Sequence, residues 1–409
     1  MPTMQNHHTA LLPAPLYPAL QAPARIGIAG AGVLGRLLAW KLAAAGYQVT
    51  VFDPASGAAP DYQQPRAAGF TAAGMLSPLA ELECADWNLA ELGWMSVDLW
   101  RAHAERLQQA HQQSVYFAQR GSLLLAHGSD MGSAQRLLAG LQSKAPASQR
   151  DEPLARPLSA QELQELEPGV SRQLRGWMLD KEGQVHTVEM LVALVVAAEQ
   201  CGATFRWNTA VRDVLPHAIE GERFDWVFDT RGLGARDGNT DSTVSLPAAD
   251  GSLPPFVYQL AAGATLPDQA MRGVRGEVFW LHAPGVELHR PVRLMHPRHR
   301  VYVVPRPGDM IVVGASEIES EDRSPVSLRS TVELLAAAHS VLPELTEARV
   351  VHMESNLRPA LADNMPAITL VDGLTRINGL FRHGWLIAPA MVEQALRGSG
   401  LIEAAAPLE

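Results

Sequence analysis

The sequence predicts an α/β fold in which a nucleotide-binding unit opens the chain and a second, α+β unit interrupts it. Three observations carry this reading. Residues 25–53 alternate strand, glycine turn, helix and strand; a long apolar helix pattern recurs at about 188–200; and residues 241–350 hold strand patterns with few helices. At 409 residues the chain exceeds what one ordinary core organises, so two closely packed domains are expected.

Residues 1–24 are rich in Pro, Ala and Leu, with no Arg or Lys before Arg25. The positive segment of a secretory signal is missing, and Pro13, Pro15, Pro18 and Pro23 break any apolar run before it reaches membrane-spanning length. The stretch reads as a disordered leader.

The segment RIGIAGAGVLGRLLAWKLAAAGYQVTVFD follows. A short apolar strand (26–29) meets Gly30-x-Gly32-x-x-Gly35, and an Ala/Leu-rich helix runs to about Ala45. Gly46 stops it, and a second strand (48–52) ends on Asp53. The first glycine allows the tight turn, the second lets backbone approach a pyrophosphate, and the third lets helix and strand pack closely. The helix N-terminus offers free N–H groups to phosphate, and Asp53 is placed to accept ribose hydroxyls. This is a Rossmann-type dinucleotide fingerprint, and by itself it does not separate FAD from NAD.

Further along, 88–113 is helical, with Leu92, Met95, Leu99 and His103 at three- and four-residue spacing. Ser159 and Glu162 form a capping box ahead of a short helix. A hairpin-like run surrounds Trp177–Gly183, and a helix spans about Val188 to Gln200. Strands are expected at 204–207, 211–215, 225–229, 274–282, 300–306 and 310–316. The tail at 383–405 pairs a glycine turn with an amphipathic helix.

Composition narrows the function classes. A hydrophobic share of 47% against 19% charged residues is globular. The net charge of −10 repels phosphate backbones, which argues against nucleic acid as a partner. Cys84 and Cys201 are the only cysteines, with no zinc-ligand spacing, so neither a disulfide framework nor a metal site is expected and a cytoplasmic setting is.

Arg358 and Arg382 stand out as candidate carboxylate ligands, because a guanidinium forks onto a carboxylate and stays charged. A structural ion pair is the alternative, with Asp363 the obvious acidic partner for Arg358; residue type alone leaves both open. Tyr302 lies on a strand and faces either a site or the core. His383, in a turn, is either a contact residue or merely exposed.

Taken together, the segments TAAGMLSPLAE (71–81), GQVHTVEMLVALVVAAEQCGA (183–203), VRGE (274–277), VYVVPR (301–306), VGAS (313–316), LRPAL…DNMPAI and FRHGWLIAPA resemble the D-amino acid oxidase family of FAD enzymes. Within it, the chain is most similar to the glycine oxidases of thiamine biosynthesis. The resemblance runs from about Arg25 to the end. It implies a glutathione-reductase-like FAD domain at 25–105, 165–240 and 352–409, and an antiparallel-sheet substrate domain at 106–164 and 241–351. It also implies non-covalent FAD, a small amino or imino acid substrate, dioxygen as electron acceptor and a possible homo-oligomer.

Residue by residue, the resemblance places Gly30, Gly32, Val33, Leu34, Gly35, Asp53 and Pro54 at the phosphates and ribose. Ala73, Gly74 and Met75 match the segment beside the flavin ring, and Val211 a backbone contact to adenine. Phe381, Arg382, His383, Gly384, Trp385 and Leu386 match the turn closing over the flavin. Arg358 matches the carboxylate-binding arginine, Tyr302 the active-site tyrosine, and Arg382 a second substrate arginine.

The departures are DNMPAIT at 363–369, Leu380 and His383 in the closing turn, and DTRGLG at 229–234. Glu317 stands where an apolar pocket residue is expected. If it faces a small apolar substrate its carboxylate needs a partner, either Arg300 or another base, or a polar group on the substrate. The second option favours substrates larger and more polar than glycine. The rival functions are a dehydrogenase passing electrons to a carrier, a tRNA-modifying oxidase (disfavoured by the acidic charge and the missing methyltransferase domain), and a flavin-binding protein without turnover.

Overall fold

Strand Arg25–Ala29 and helix Val33–Ala44 are joined by a turn that only glycine makes comfortably. Gly30 has φ +97°, and a Cβ there would stand 2.7 Å from the carbonyl oxygen of Thr230. A Cβ on Gly35 would stand 1.9 Å from the Gly30 carbonyl oxygen, so the third glycine of the fingerprint sets how closely helix and strand approach. The computed structural model describes residue 12 and residues 14–236, 253–260, 271–296 and 300–401.

Around this unit lies a seven-stranded sheet in the order Val257–Gln259, Ala367–Val371, Leu374–Asn378, Trp226–Asp229, Arg25–Ala29, Gln48–Phe52, Thr204–Arg206. All neighbours run parallel except Ala367–Val371 against Leu374–Asn378. The central strands are buried on both faces, as in a sheet packed between layers. Helices Val33–Ala44, Trp87–His111, Thr187–Gln200 and Gly384–Gly398 contribute to the largest core cluster.

The second sheet has eight strands in the order Arg349–Ala360, Arg272–His282, Met310–Gly314, Arg300–Arg306, Val292–Met295, Ser122–His127, Leu174–Leu179, Arg156–Pro157. It is antiparallel except where Val292–Met295 meets Ser122–His127. A small sheet of Met75–Leu76, Gly183–Val185 and Phe117–Ala118 adjoins it through side-chain contacts.

Several expectations change here. From Leu12 onward the leader is docked wherever it is described. Leu12 is buried, the Leu16 and Leu20 N–H groups donate to Gly398 and Gly400 (3.1 and 3.2 Å), and Tyr17 meets Trp226 edge-on. The prolines prevent a helix, but they leave a chain whose Leu12 side chain packs beside Gly398 at the end of the last helix and whose Leu16, Tyr17 and Leu20 are partly buried against the same core. Residues 1–11 and 13 lie outside the described residues.

Strand Val257–Gln259 joins the parallel sheet, while Leu174–Leu179 and Arg349–Ala360 join the antiparallel one, so the expected domain bounds are crossed at 174–179, 257–259 and 352–360. The run around Trp177–Gly183 is not a hairpin, because its two strands pair in different sheets. The tail helix Gly384–Gly398 is buried almost all round rather than amphipathic. Ser159 and Glu162 do form both bonds of the capping box.

Candidate active site

A cavity of about 500 Å³ opens between the two sheets and extends from the glycine turn to the second sheet. At its first end the wall includes Gly30, Gly32, Val33, Leu34, Asp53 and Pro54. A Cβ on Gly32 would point into open space, its nearest neighbour 3.9 Å away at Ala67. No acidic residue sits in the first turn of helix Val33–Ala44 to repel an anion. The Asp53 carboxylate is fixed by the N–H groups of Ala31 (2.6 Å) and Ala55 (2.8 Å).

The DTRGLG departure makes the roof of this end. Asp229 is fully buried between Arg231 (2.9 Å) and Arg376 (3.0 Å). Burial opposes its charge, but the two guanidiniums outweigh that and hold its carboxyl below the usual range. The Thr230 hydroxyl donates to the carbonyls of Ala29 and Gly30.

The other end is made by charges. Arg358 and Tyr302 stand on strands separated by two others, Arg272–His282 and Met310–Gly314. With strands about 4.8 Å apart, ordinary side chains would not meet. They converge because each lies across a glycine. A Cβ on Gly276 would fall 2.4 Å from the Arg358 Nη2, and one on Gly314 would fall 2.6 Å from the Tyr302 hydroxyl.

Arg358 donates only to backbone, to the carbonyls of Ser316 (3.1 Å) and Arg275 (3.4 Å). It has no ion pair among the described residues, and Asp363 instead caps Met365 N–H. Burial lowers its pKa without discharging it. Tyr302 is raised by burial against the pull of Arg358, Arg382 and Arg293, so its phenol stays protonated.

Arg382 is different. Its Nε lies 2.9 Å from Glu81 and its Nη1 3.0 Å from Glu317. Arg293 reaches Glu83 at 3.2 Å, and Arg300 reaches it at 3.0 Å. Arg382, Arg293 and Arg300 thus each meet a carboxylate, whereas the buried Arg358 meets none among the described residues.

The donor set at the first end fits a diphosphate dinucleotide, and a family model described as DAO, FAD dependent oxidoreductase, matches residues 25–395. The chain belongs to this family of FAD-dependent oxidoreductases. It is 33% identical over 378 residues to a Rhizobium etli protein named as the thiamine biosynthesis oxidoreductase ThiO, covering 91% of this chain and 95% of that one. It is 26% identical to a glycine oxidase of Geobacillus kaustophilus, covering 89% of each. The crystal structure of glycine oxidase from that organism superposes with a TM-score of 0.71 at 23% identity, over 93% of this chain and 96% of the other. FAD is the cofactor of the family, and the cradle described above is where this chain's residues would hold it.

Most of the residues expected from sequence line the cavity, including Ala73, Gly74, Met75, Val211, Phe381, Gly384 and Trp385. Three do not. Gly35 is spent on helix–strand packing, and Leu386 is buried in the core against Gly93. His383 is buried behind the wall, its Nδ1 2.9 Å from Glu81, so it is neither exposed nor in contact with the cavity.

Arg382 does line the cavity, but as an ion-paired residue. Glu317 lines it too, and the base that pairs it is Arg382, not Arg300. Glu81, Arg293, Gly276 and Gly314 were missed as site residues. The two glycines carried a usable signal, since glycine inside a strand marks a close approach. Glu81 and Arg293 carried none, being ordinary charges until the fold unites them. Among the described residues no helix is long and apolar enough to cross a membrane.

Proposed function

We propose that this chain oxidises a small amino or imino acid with dioxygen, which becomes hydrogen peroxide, and that water then hydrolyses the imine product to the oxo acid with release of ammonia from an amino acid or of an amine from an imino acid. The observation that supports this most is the unmatched guanidinium of Arg358, presented with the Tyr302 phenol in the same cavity as the dinucleotide cradle. A buried guanidinium with no carboxylate partner among the described residues suits a substrate carboxylate.

FAD, when bound, supplies a two-electron acceptor. Arg358 holds the substrate carboxylate through its planar fork, and the Tyr302 phenol donates to it, so the α-carbon is fixed by two contacts at one end. Ala73, Met75 and Val278 make the wall near Tyr302 apolar and keep water from the reacting carbon. Glu81 and Glu317 are both held by Arg382, so positioning rather than proton transfer is the contribution of these side chains. Both cysteines are free, which suits a reducing, cytoplasmic setting.

The test is a panel of glycine, sarcosine and D- and L-amino acids with peroxide detection on the yellow protein. Turnover with an artificial acceptor but no oxygen uptake would make the chain a dehydrogenase. Bound flavin with no turnover on any substrate would overturn the enzymatic reading.

A further inference from the structure

Behind the cavity wall lies a buried cation that the proposed chemistry does not use. Arg306 ends the strand Arg300–Arg306 and is 6% exposed. Its Nη1 donates to the Gln184 side-chain oxygen (2.5 Å) and to the Pro305 carbonyl (3.0 Å). Its Nη2 donates to the carbonyls of Ala73 and Val185. All four acceptors are neutral, and no carboxylate lies within ion-pair distance among the described residues. Glu189 acts on it only at longer range; that side chain is 41% exposed and its Oε2 accepts Tyr116 N–H. Burial lowers the Arg306 pKa to about 10, which leaves it charged at neutral pH.

Keeping an unpaired charge inside a protein is costly, and an apolar side chain of similar size would avoid the cost. The position of this charge gives it a use. Ala73 and Gly74 line the cavity, and a Cβ on Gly74 would stand 3.2 Å from the Arg306 Nη2. Ala73 also packs in the cluster that contains Tyr302 and Ala315, at the Arg358 end. The electron-accepting part of the cofactor has to lie at that end, where the substrate is held. On the reading proposed above, the Ala73–Gly74 backbone would stand between that part of the cofactor and the guanidinium, in surroundings where fields are weakly screened.

We propose that Arg306 is a fixed cation that raises the reduction potential of the bound flavin. Two-electron reduction places more negative charge on the ring system than the oxidised form carries, so a nearby positive charge favours the reduced form. The alternative is a purely structural clamp, since Arg306 ties Ala73, Val185 and Gln184 together. Charge and clamp separate cleanly at Gln184, which is outside the cavity wall and bonds Arg306 directly.

Gln184→Glu keeps the Arg306 bonds of the clamp, gives up only the 3.4 Å bond that the Gln184 amide donates to the Tyr116 hydroxyl, and places a carboxylate against the guanidinium, cancelling its field. With flavin still bound, its reduction equilibrium against a reference dye should move about tenfold toward the oxidised form, a shift of 29.6 mV for a two-electron couple. Arg306→Lys keeps the charge and loses the fork, so its flavin reduction equilibrium should stay within threefold of the parent's. Arg306→Met should move as far as Gln184→Glu. A flavin-loaded Gln184→Glu protein whose equilibrium stays within twofold of the parent would overturn the proposal, as would Arg306→Lys falling as far as Arg306→Met. A parent protein that bound no flavin would break the cofactor assignment instead, which the absorbance spectrum shows before any titration.

Discussion

The two ends of the cavity are built by different means. At the Gly30 end the chain offers backbone: a turn at positive φ, a helix N-terminus, and an aspartate held by two N–H groups. All of it comes from residues 30–55 and from the turn at 230, which packs on Gly30. At the Arg358 end the chain offers charge, drawn from the helix Pro78–Glu81, three strands of the second sheet and the turn at Phe381–His383. A backbone site tolerates nothing where a side chain would intrude. A charged site tolerates substitution until the count of opposite charges is upset.

Gly32→Val breaks the first end alone and should have the largest effect. The added side chain points into open cavity, so the protein should fold and purify with its usual secondary structure but colourless. A yellow Gly32→Val protein with parental flavin content would show that the pyrophosphate does not approach this turn.

That contrast also decides what was legible in the sequence. The Gly30 end is continuous, so its motif, strand and helix could be read within a residue or two of their observed bounds. Residue chemistry nominated Arg358 and Arg382 alike, and only resemblance gave Arg358 and Tyr302 their separate roles; nothing local showed that Arg358 has no counter-charge among the described residues while Arg382 has two. Glu81 lies in the quoted run TAAGMLSPLAE, yet its partners Arg382, His383 and Arg293 are more than two hundred residues away. Burial hid the rest: His383 reads as a surface turn residue until Glu81 and the last helix cover it. The docking of Leu12 and Leu16 depends in the same way on a helix 370 or more residues later, which proline spacing does not report.

Glu81→Gln tests the charged end at its hub. Burial works against the Glu81 charge, but Arg382, His383 and Arg293 outweigh it and hold the carboxyl well below its ordinary value of 4.5. Because the folded value is the lower one, the stabilisation is complete above about pH 4.5 and is lost as pH falls through the folded value. The variant should lose about 3–5 kcal/mol at pH 7, the scale of breaking a buried pair. Chemical denaturation at pH 7 and pH 3 checks this; a gap between parent and variant that is equal at both would mean the charge is not what Glu81 contributes.

Arg358→Lys should cost about 2–4 kcal/mol in transition-state stabilisation, because lysine keeps the charge but loses the fork. The flavin spectrum and the melting midpoint should stay close to parental. The same change at Arg382 should do the reverse, lowering stability more than it raises KM, since that guanidinium is already occupied. If Arg358→Lys retains kcat/KM within twofold on the best substrate, the carboxylate is held elsewhere.

Glu317→Met is the smallest perturbation and the sharpest probe of the charge count. The Glu317 side chain is 41% exposed and meets Arg382 at 3.0 Å, and exposed pairs of this kind contribute about 1 kcal/mol or less. An unpaired Glu317 would have favoured a substrate larger and more polar than glycine; the observed pairing removes that reason. Glycine or sarcosine turnover should therefore stay within about threefold. Removing the carboxylate frees the outer edge of Arg382 while Glu81 keeps its inner edge, so the cavity gains a second seat for an anion. A dicarboxylic substrate such as aspartate or iminodiacetate should then show a lower KM in the variant than in the parent. The measurement is the ratio of kcat/KM for a dicarboxylate over glycine, before and after the change. A ratio that does not rise, together with a tenfold loss on glycine, would mean that Glu317 touches the substrate itself and that Arg382 is only its support.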